Sequence, residues 1–419
     1  MVSKKDTNWH YSKKEKGLIR MMVMTQRFHP YISYFAHTDF RNQKDVFGIY
    51  QHDRYVGMYL LGKTGAGKTN VLEILLHQDI LHSRGLALFD VSGDLVKKVY
   101  QSIPKSREKD CVYLDTSNPN LTWGYNPLRR VAYQHRHLIA SHIIETFQKI
   151  WGQQAWGMRL EFILRNLFLT LLDQPKATFS DVTRLLVDEH FRLQCQQYII
   201  TKEVKQFWTH QFPKYSKTDI LPVLNKIGSF LAIPMVKKIL VDNTQQLSIQ
   251  SIIDTEKIFL INLSKGTLGA DAAHLLGSLL LNSLSAAGFH RSLIEEENRK
   301  PFFIYLDEFH NFTTLSLVNM FAELRKFKIG FIVAHQYLNQ LPVKIKEAVL
   351  GNIGTIICFR ISYADAKYMA QEFHPVFSAN DFIGLENYHI YLKLMINGKP
   401  SRAFSAKTIT KNWFDAPKG

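Results

Sequence analysis

The eight residues GKTGAGKT, positions 62 to 69, constrain this chain more than any other stretch. They fit the phosphate-binding loop G-x-x-x-x-G-K-[ST], which average amino-acid usage would produce by accident in roughly one or two of a hundred chains of this size. Such a loop needs a strand leading in and a helix leading out, because backbone N–H groups at a helix N-terminus must point at the phosphates. The apolar run Tyr59-Leu60-Leu61 and the segment Val71-Leu72-Glu73-Ile74-Leu75-Leu76 supply both flanks, which a plain glycine-rich turn would not require. Gly62, Gly65 and Gly67 are expected to let the backbone curl around an anion, with Lys63, Thr64, Ala66 and Asn70 completing the cradle. Lys68 would reach the β- and γ-phosphates of ATP, and the Thr69 hydroxyl would ligate Mg²⁺.

The chain has 419 residues, 46% of them hydrophobic, enough for one large or two ordinary domains and too apolar for a wholly disordered chain. With 52 Lys+Arg against 36 Asp+Glu, the formal charge is +16. That balance points to a polyanionic partner, nucleic acid or an anionic membrane surface, with plain solubility as the alternative. Cys111, Cys195 and Cys358 stand far apart with no metal spacing and are read as free thiols of a reducing cytoplasm. The best apolar stretch, Leu275 to Phe289, is interrupted by Ser278, Asn282, Ser283 and Ser285 and reads as a buried helix rather than a membrane span. Lysines near the start are followed only by the short Met21-Met22-Val23-Met24, so no signal peptide is expected.

Residues 1–44 are basic and aromatic, with His29-Pro30-Tyr31 breaking any regular element, and are expected to form an arm or irregular lead-in. From about 45, apolar strands at 55–61, 85–90 and 111–115 alternate with helical stretches, the mark of an α/β fold with a parallel sheet covered on both faces. The pattern stops at Asn126-Pro127. Leu160, Ile163, Leu164, Leu167, Phe168 and Leu171 then recur at helical spacing, Ser180 is expected to cap the next helix, and 182–200, 203–212 and 219–232 continue as helices. Residues 128–250 therefore read as an all-helical insertion. Strands resume at 258–262, 302–307, 329–334, 355–360 and 389–395, so 45–127 and 251–408 form one nucleotide-binding core, with 409–419 as a tail.

Phe302-Phe303-Ile304-Tyr305-Leu306-Asp307-Glu308 is an apolar strand ending in two carboxylates, as hydrolysis of Mg²⁺·ATP requires. Asp307 would hold the metal through water, and Glu308 would orient and polarise the attacking water. An apolar strand running into a polar loop is the plainer alternative. The strand 329–334 ends in His335-Gln336, where Gln336 is placed to touch the γ-phosphate or the lytic water, or else serves only as a polar residue at the core's edge. Asp90, ending the second strand, is a further candidate to face the site.

GKTGAGKT, YLDEFHNF (305–312), AHQYLNQL (334–341), INLSKGTLG (261–269) and GNIGTIICFR (351–360) together resemble the HerA–FtsK class of P-loop ATPases. Within it they are most similar to the cytoplasmic ATPase of conjugative coupling proteins, the TraG/TraD/TrwB group, which drives DNA towards a type IV secretion channel. The likeness runs from Thr38-Asp39-Phe40-Arg41 to Ser405-Ala406-Lys407-Thr408, helical insertion included. It implies a RecA-like core with a mostly parallel sheet, and a homo-hexameric ring around double-stranded DNA that hydrolyses ATP between subunits. Lys68 and Thr69 match the phosphate-loop pair, Asp307 and Glu308 the Walker B pair and Gln336 the polar sensor; Arg360 matches an arginine that reaches a neighbour's γ-phosphate. The expected partners are DNA and a secretion channel or relaxase. The expected location is the cytoplasm, with any attachment to the inner membrane supplied by a partner.

Two departures stand out. Coupling proteins usually begin with transmembrane helices, which are not seen here, and their second strand often continues Asp-Pro-His-Gly-Asp-Leu, where this chain reads Asp90-Val91-Ser92-Gly93-Asp94-Leu95. Two alternatives to a coupling motor remain: a HerA-like motor paired with a nuclease in DNA-end processing or phage defence, and a scaffold that uses ATP only to close a ring. Glu308 speaks against the scaffold, which has less need of a water-orienting carboxylate. Lys265, Lys399 and Arg402 are candidates for sequence-blind contacts with DNA phosphates.

Overall fold

The computed structural model describes residues 29–39, 44–129, 131–243 and 245–411. Most of the expected arm, with Phe40 and Arg41, and the tail beyond 411 lie outside the described residues.

Among the described residues, eleven strands build the main sheet: β1 (Ile32–Thr38), β2 (Val46–Tyr50), β3 (Met58–Leu61), β4 (Gly85–Asp90), β5 (Cys111–Asp115), β6 (Ile258–Asn262), β7 (Phe302–Leu306), β8 (Ile329–His335), β9 (Thr355–Cys358), β10 (His389–Lys393) and β11 (Phe404–Thr408). Their order is β2-β1-β11-β10-β9-β3-β8-β7-β4-β6-β5. From β9 to β5 every pairing is parallel; β10, β11, β1 and β2 form an antiparallel wing. The central strands are buried on both faces, which is why β3, β4, β6, β7 and β8 are near-continuous apolar runs.

β1 corrects the expected lead-in. It begins straight after Pro30-Tyr31, pairs Ile32 with Tyr50 on one side and Ala36 with Thr408 on the other, and buries Tyr34, Phe35 and Ala36. Its pairing with β2 is local, whereas its other partner, β11, lies at the far end of the chain and has no local signal. Several other boundaries also move. Tyr55 and Val56 belong to a turn closed by Gly57 (φ +92°), so β3 starts at Met58. β7, β9 and β10 stop at Leu306, Cys358 and Lys393.

Helices cover both faces. α1 (Lys68–Leu81) follows β3 and α2 (Asp94–Gln101) follows β4. Between β5 and β6 lie α3 (Tyr133–Trp151), α4 (Met158–Asp173), α5 (Asp181–Val187), α6 (Glu189–Gln196), α7 (Lys202–Gln206) and α8 (Lys217–Leu231). The apolar stripe of α4 is buried as its spacing requires: Ile163, Leu164, Leu167, Phe168 and Leu171 are all inaccessible. Residues 182–200 are not one helix, because Asp188 breaks the run and caps α6 by accepting from Phe191 N. Ser180 precedes α5 but makes no side-chain cap; its hydroxyl pairs with Thr178. The insertion shares its core with one face of the sheet, since Phe147, Leu167 and Val223 belong to the same apolar cluster as Phe89 and Leu306.

α9 (Ala270–His290) carries the serines and asparagine noted above. Together with the following turn, residues 270–293 form the one helix among the described residues long and apolar enough to cross a membrane, but 78% of its most apolar window is buried inside the fold. It is a core helix packed against α3 and β-sheet residues. Under α1, Asp79 is fully buried and receives Arg54 through two hydrogen bonds of 2.7 and 2.9 Å, Arg84 at 2.8 Å, and the Tyr305 hydroxyl. Burial pushes the Asp79 carboxyl up, but Arg54 and Arg84 outweigh it and hold it below its ordinary range. This network bolts α1 to β7, and with them the two halves of the site.

Candidate active site

The site lies at the carboxyl ends of the parallel strands, where α/β sheets place ligands. β3 ends at Leu61, and the loop that follows is held from both sides: Gly62 N donates to His335 O at the end of β8 (3.3 Å) and Lys63 N to Arg360 O after β9 (2.8 Å). Gly65 (φ +77°) and Gly67 (φ +123°) take left-handed backbone that a side chain would strain. Gly62 does not; it is glycine because a Cβ there would lie 2.6 Å from Phe359 Cβ. The chain then enters α1 with its first N–H groups facing the loop.

Lys68 is buried, and its ammonium folds back to donate to Gly62 O (2.6 Å) and Lys63 O (3.2 Å). Burial lowers its pKa, opposed by Glu308 and Asp307. Both carboxylates therefore lie close enough across the cleft to act on it. Asp307 N continues the ladder to Phe89 O (3.1 Å), so its position is set by the sheet itself. Glu308 then turns into left-handed backbone (φ +50°), which swings the chain away from the sheet. Gln336, one residue past β8, donates Nε2 to Glu308 Oε1 at 2.8 Å. Burial pushes the Glu308 carboxyl up, but His310, Gln336 and Lys68 together bring it below its ordinary value.

Enclosure pushes the Asp307 carboxyl up to about 7, with the neighbouring charges of Asp90 and Glu308 adding to it. Glu73, Asp307 and Glu308 line the cleft with Asp90 behind them, against Lys68 and Lys98, so carboxyls outnumber amines there, and Thr69 lines the same cleft. Hard oxygen donors of this kind fit Mg²⁺. Asp90 itself is committed to structure: Oδ1 accepts from Ser92 N and Oγ, and Oδ2 from Val96 N. It holds the turn into α2 and shapes the field on Asp307.

The cleft has a volume of about 340 Å³. Thr64, Gly65, Gly67, Lys68, Thr69 and Asn70 line one side, with Asp307, Glu308 and Gln336 opposite. Gly62, Lys63 and Ala66 shape the loop from behind. Asn70 also ties α1 to the end of the antiparallel wing, donating to Ile409 O at 2.7 Å. Arg360 stands apart: it is half-buried at the end of β9, with Nη1 3.5 Å from Leu385 O, and does not line this chain's cleft. Lys265 is exposed on the site's side of the sheet and reaches Asn311 Oδ1 (2.6 Å), whereas Lys399 and Arg402 are exposed near the opposite, amino ends of β3 and β9.

Sequence reasoning missed four residues. Glu73 and Lys98 line the cleft from α1 and α2. Glu73 was legible from the helix that follows the loop, one turn on from Thr69, while Lys98 had no local signal. Tyr388, just before β10, also has none: it sits at φ +68°, donates N–H to Ala66 O (2.9 Å) and lays its ring against Gly67. His310 lies beside Glu308, with Nδ1 3.4 Å from Oε2.

Comparison with known proteins agrees with this geometry. The type IV secretion-system coupling protein DNA-binding domain family matches residues 49–374. No curated protein sequence matches the chain. Among solved structures, the plasmid coupling protein TrwB in complex with ADP and Mg²⁺ is similar at a TM-score of 0.67 and 13% identity, covering 94% of this chain and 92% of that one. The unbound monoclinic form of TrwBdeltaN70 gives 0.65 at 13%, covering 94% and 91%. VirB4 of Thermoanaerobacter pseudethanolicus gives 0.61 at 12%, covering 91% and 96%. These likenesses establish a RecA-like α/β fold with a mostly parallel central sheet and a helical insertion.

Proposed function

The chain belongs to the family of type IV secretion-system coupling protein DNA-binding domains, and from that premise we propose that it is an ATPase that spends ATP on moving double-stranded DNA. The observation that carries the reading is the convergence of Lys68, Thr69, Asp307, Glu308 and Gln336, from three neighbouring strand ends, on one cleft. ATP is the substrate: the loop 62–69 cradles its phosphates, with Lys68 leaving the Gly62 and Lys63 carbonyls for the β- and γ-oxygens. Thr69, and Asp307 through water, would hold Mg²⁺, which would supply neutralising charge to the transferring group. Glu308 orients the attacking water, and Gln336 fixes Glu308 and senses the γ-phosphate. That TrwB is known in complex with ADP and Mg²⁺ supports the same pair of ligands here.

For cargo and assembly, charge and the family support the reading. A balance of +16 suits a sequence-blind grip on DNA phosphates, with Lys265, Lys399 and Arg402 as candidate contacts. The assembly is a homo-hexamer in the cytoplasm, recruited to the inner membrane and to a relaxase or secretion channel by a partner. The deciding experiment measures ATP turnover with and without duplex DNA and images the particles with both bound. Turnover that rises several-fold with DNA, on rings encircling it, supports the motor; tight nucleotide binding without turnover would replace it with a scaffold.

A further inference from the structure

The helical insertion grips the loop that follows Glu308. Lys149, in the last turn of α3, donates Nζ to His310 O (3.2 Å) and Thr313 Oγ1 (2.5 Å). One turn earlier on the same face, Glu145 Oε1 accepts from Ser316 N at 3.1 Å. Segment 310–316 is thus held at both ends by a helix outside the nucleotide-binding core. Within it, His310 turns Nδ1 towards Glu308 Oε2 at 3.4 Å, while its other nitrogen lies 3.5 Å from Gln340 Nε2.

A contact made for packing alone would be apolar. This one is polar and incompletely paired: His310 Nδ1 and Glu308 Oε2, which face each other at ion-pair distance, make no hydrogen bond, and His142 Nδ1 on α3 and His274 Nε2, Ser278 Oγ and Asn282 Nδ2 on α9 are likewise buried without a hydrogen-bond partner. Such atoms cost stability, and apolar side chains of the same volume usually do as well or better. Burial also lowers the Lys149 amine to about 7 despite the attraction of Glu145, so it is held there at a cost. His274 feels the charges of Lys149, Lys265 and His310, which places α9 on the same seam.

We propose that Lys149 is a positioning residue: by anchoring His310 it sets the Glu308 carboxylate, so that a shift of the helical insertion is delivered to the hydrolysis step and not to nucleotide binding. The inference rests on reading Glu308 as the group that orients the attacking water. A misplacement of a catalytic group by about 1 Å is enough to slow chemistry by orders of magnitude.

The test uses the full chain with duplex DNA, and reads steady-state ATPase beside the affinity for a fluorescent ATP analogue. Lys149→Met keeps the length of the side chain and removes the amine. Its kcat is expected to fall about tenfold, with KM and analogue affinity within about twofold. Lys149→Arg, which keeps the donors, recovers part of the loss. His310→Ala shows the same split, and the double variant Lys149→Met/His310→Ala is no slower than the slower single, because the two act in series. An unchanged kcat in Lys149→Met, or a double variant whose losses multiply, overturns the proposal. Thermal unfolding separates this from collapse: Lys149→Met lowers Tm, because Glu145 and the two acceptors lose a partner, but a folded variant still unfolds cooperatively and keeps its analogue affinity. If the wild-type chain binds the analogue but turns over no ATP, the hydrolysis reading fails by itself. The anchoring is then read without turnover, from the His310 imidazole resonances in histidine-labelled protein: they move in Lys149→Met, and unmoved resonances overturn the inference.

Discussion

Gln336 Nε2 donates to Glu308 Oε1 at 2.8 Å, joining the ends of two adjacent parallel strands. The register of β7 against β8 brings the two side chains together, so the pair is a product of the sheet. Lys68 lies on the third strand end, behind the loop after β3. In the proposed function, binding and hydrolysis are therefore assigned to different elements, and substitution separates them. Lys68→Ala removes the fixed charge facing the β/γ-phosphates and is expected to weaken ATP binding and turnover together. Glu308→Gln keeps shape and the Gln336 contact but loses the carboxylate, and is expected to hold ATP with turnover reduced by at least about a hundredfold. Nucleotide-affinity and ATPase measurements on the two variants check this; normal turnover in Glu308→Gln sinks the assignment.

DNA affinity is expected to fall steeply between low and physiological salt, because lysines and arginines that displace counterions from phosphates give a strong dependence on ionic strength. Binding should also be nearly indifferent to sequence. A titration across salt concentrations on two unrelated duplexes is the measurement. A flat response, or a strong preference for one duplex, rules out a grip made by phosphate contacts.

What the sequence made legible was local. The phosphate loop, the apolar strands 258–262, 302–306 and 329–335 and the stripe of α4 declare themselves within a dozen residues, and each carries its own periodicity or spacing. What stayed hidden depends on partners far along the chain. β1 pairs with its neighbour β2, but it joins the main sheet only through β11, some 370 residues on. Tyr388 reaches the cleft because its N–H bonds Ala66 O across the sheet. Lys149 and His310 meet only because an insertion folds back over the loop that follows Glu308. No pattern in either segment predicts that meeting.

Acid should destabilise the fold through two buried imidazoles. Burial holds His274 and His335 at about 3, against 6.5 for a free histidine. Between these values the unfolded chain binds protons that the folded chain refuses, so the stability is present above pH 6.5 and is lost as pH falls towards 3. Each histidine contributes on the order of 2–3 kcal/mol of that loss by pH 4.5. The raised Asp307 carboxyl works in the opposite direction over about pH 4 to 7 and offsets part of it. Denaturant titrations across this range test the sign, and His274→Gln, neutral at every pH, is expected to flatten the loss by one histidine's share. An unchanged pH dependence in that variant contradicts the assignment.

Asp79→Asn is expected to cost about 3–5 kcal/mol, because it leaves Arg54, which is fully buried, facing an amide in place of a carboxylate. Equilibrium unfolding measures the cost. Since the same network joins α1 to β7, ATP affinity should fall together with stability. A variant of wild-type stability would mean that Arg54 and Tyr305 satisfy each other without Asp79.

The last prediction concerns Arg360, whose side chain leaves the end of β9 without entering its own cleft. Its carbonyl holds Lys63 N at 2.8 Å, so the backbone is fixed, while the guanidinium is tied only by one long contact, from Nη1 to Leu385 O at 3.5 Å. If subunits assemble in a ring, that guanidinium can complete a neighbour's site, where an arginine supplied in trans stabilises transition-state charge by about 10³–10⁵ in rate in well-studied cases. Arg360→Ala is then expected to bind ATP almost normally and hydrolyse it poorly. Mixing decides between action across the interface and action within one chain. Arg360→Ala and Glu308→Gln subunits are each inactive alone, but a mixed ring contains interfaces at which an intact Glu308 faces an intact Arg360. Recovery of part of the ATPase activity on mixing places the arginine in trans. If the mixtures stay inactive despite demonstrated co-assembly, Arg360 serves its own subunit, and the lost side-chain contact with Leu385 O becomes the explanation for the loss.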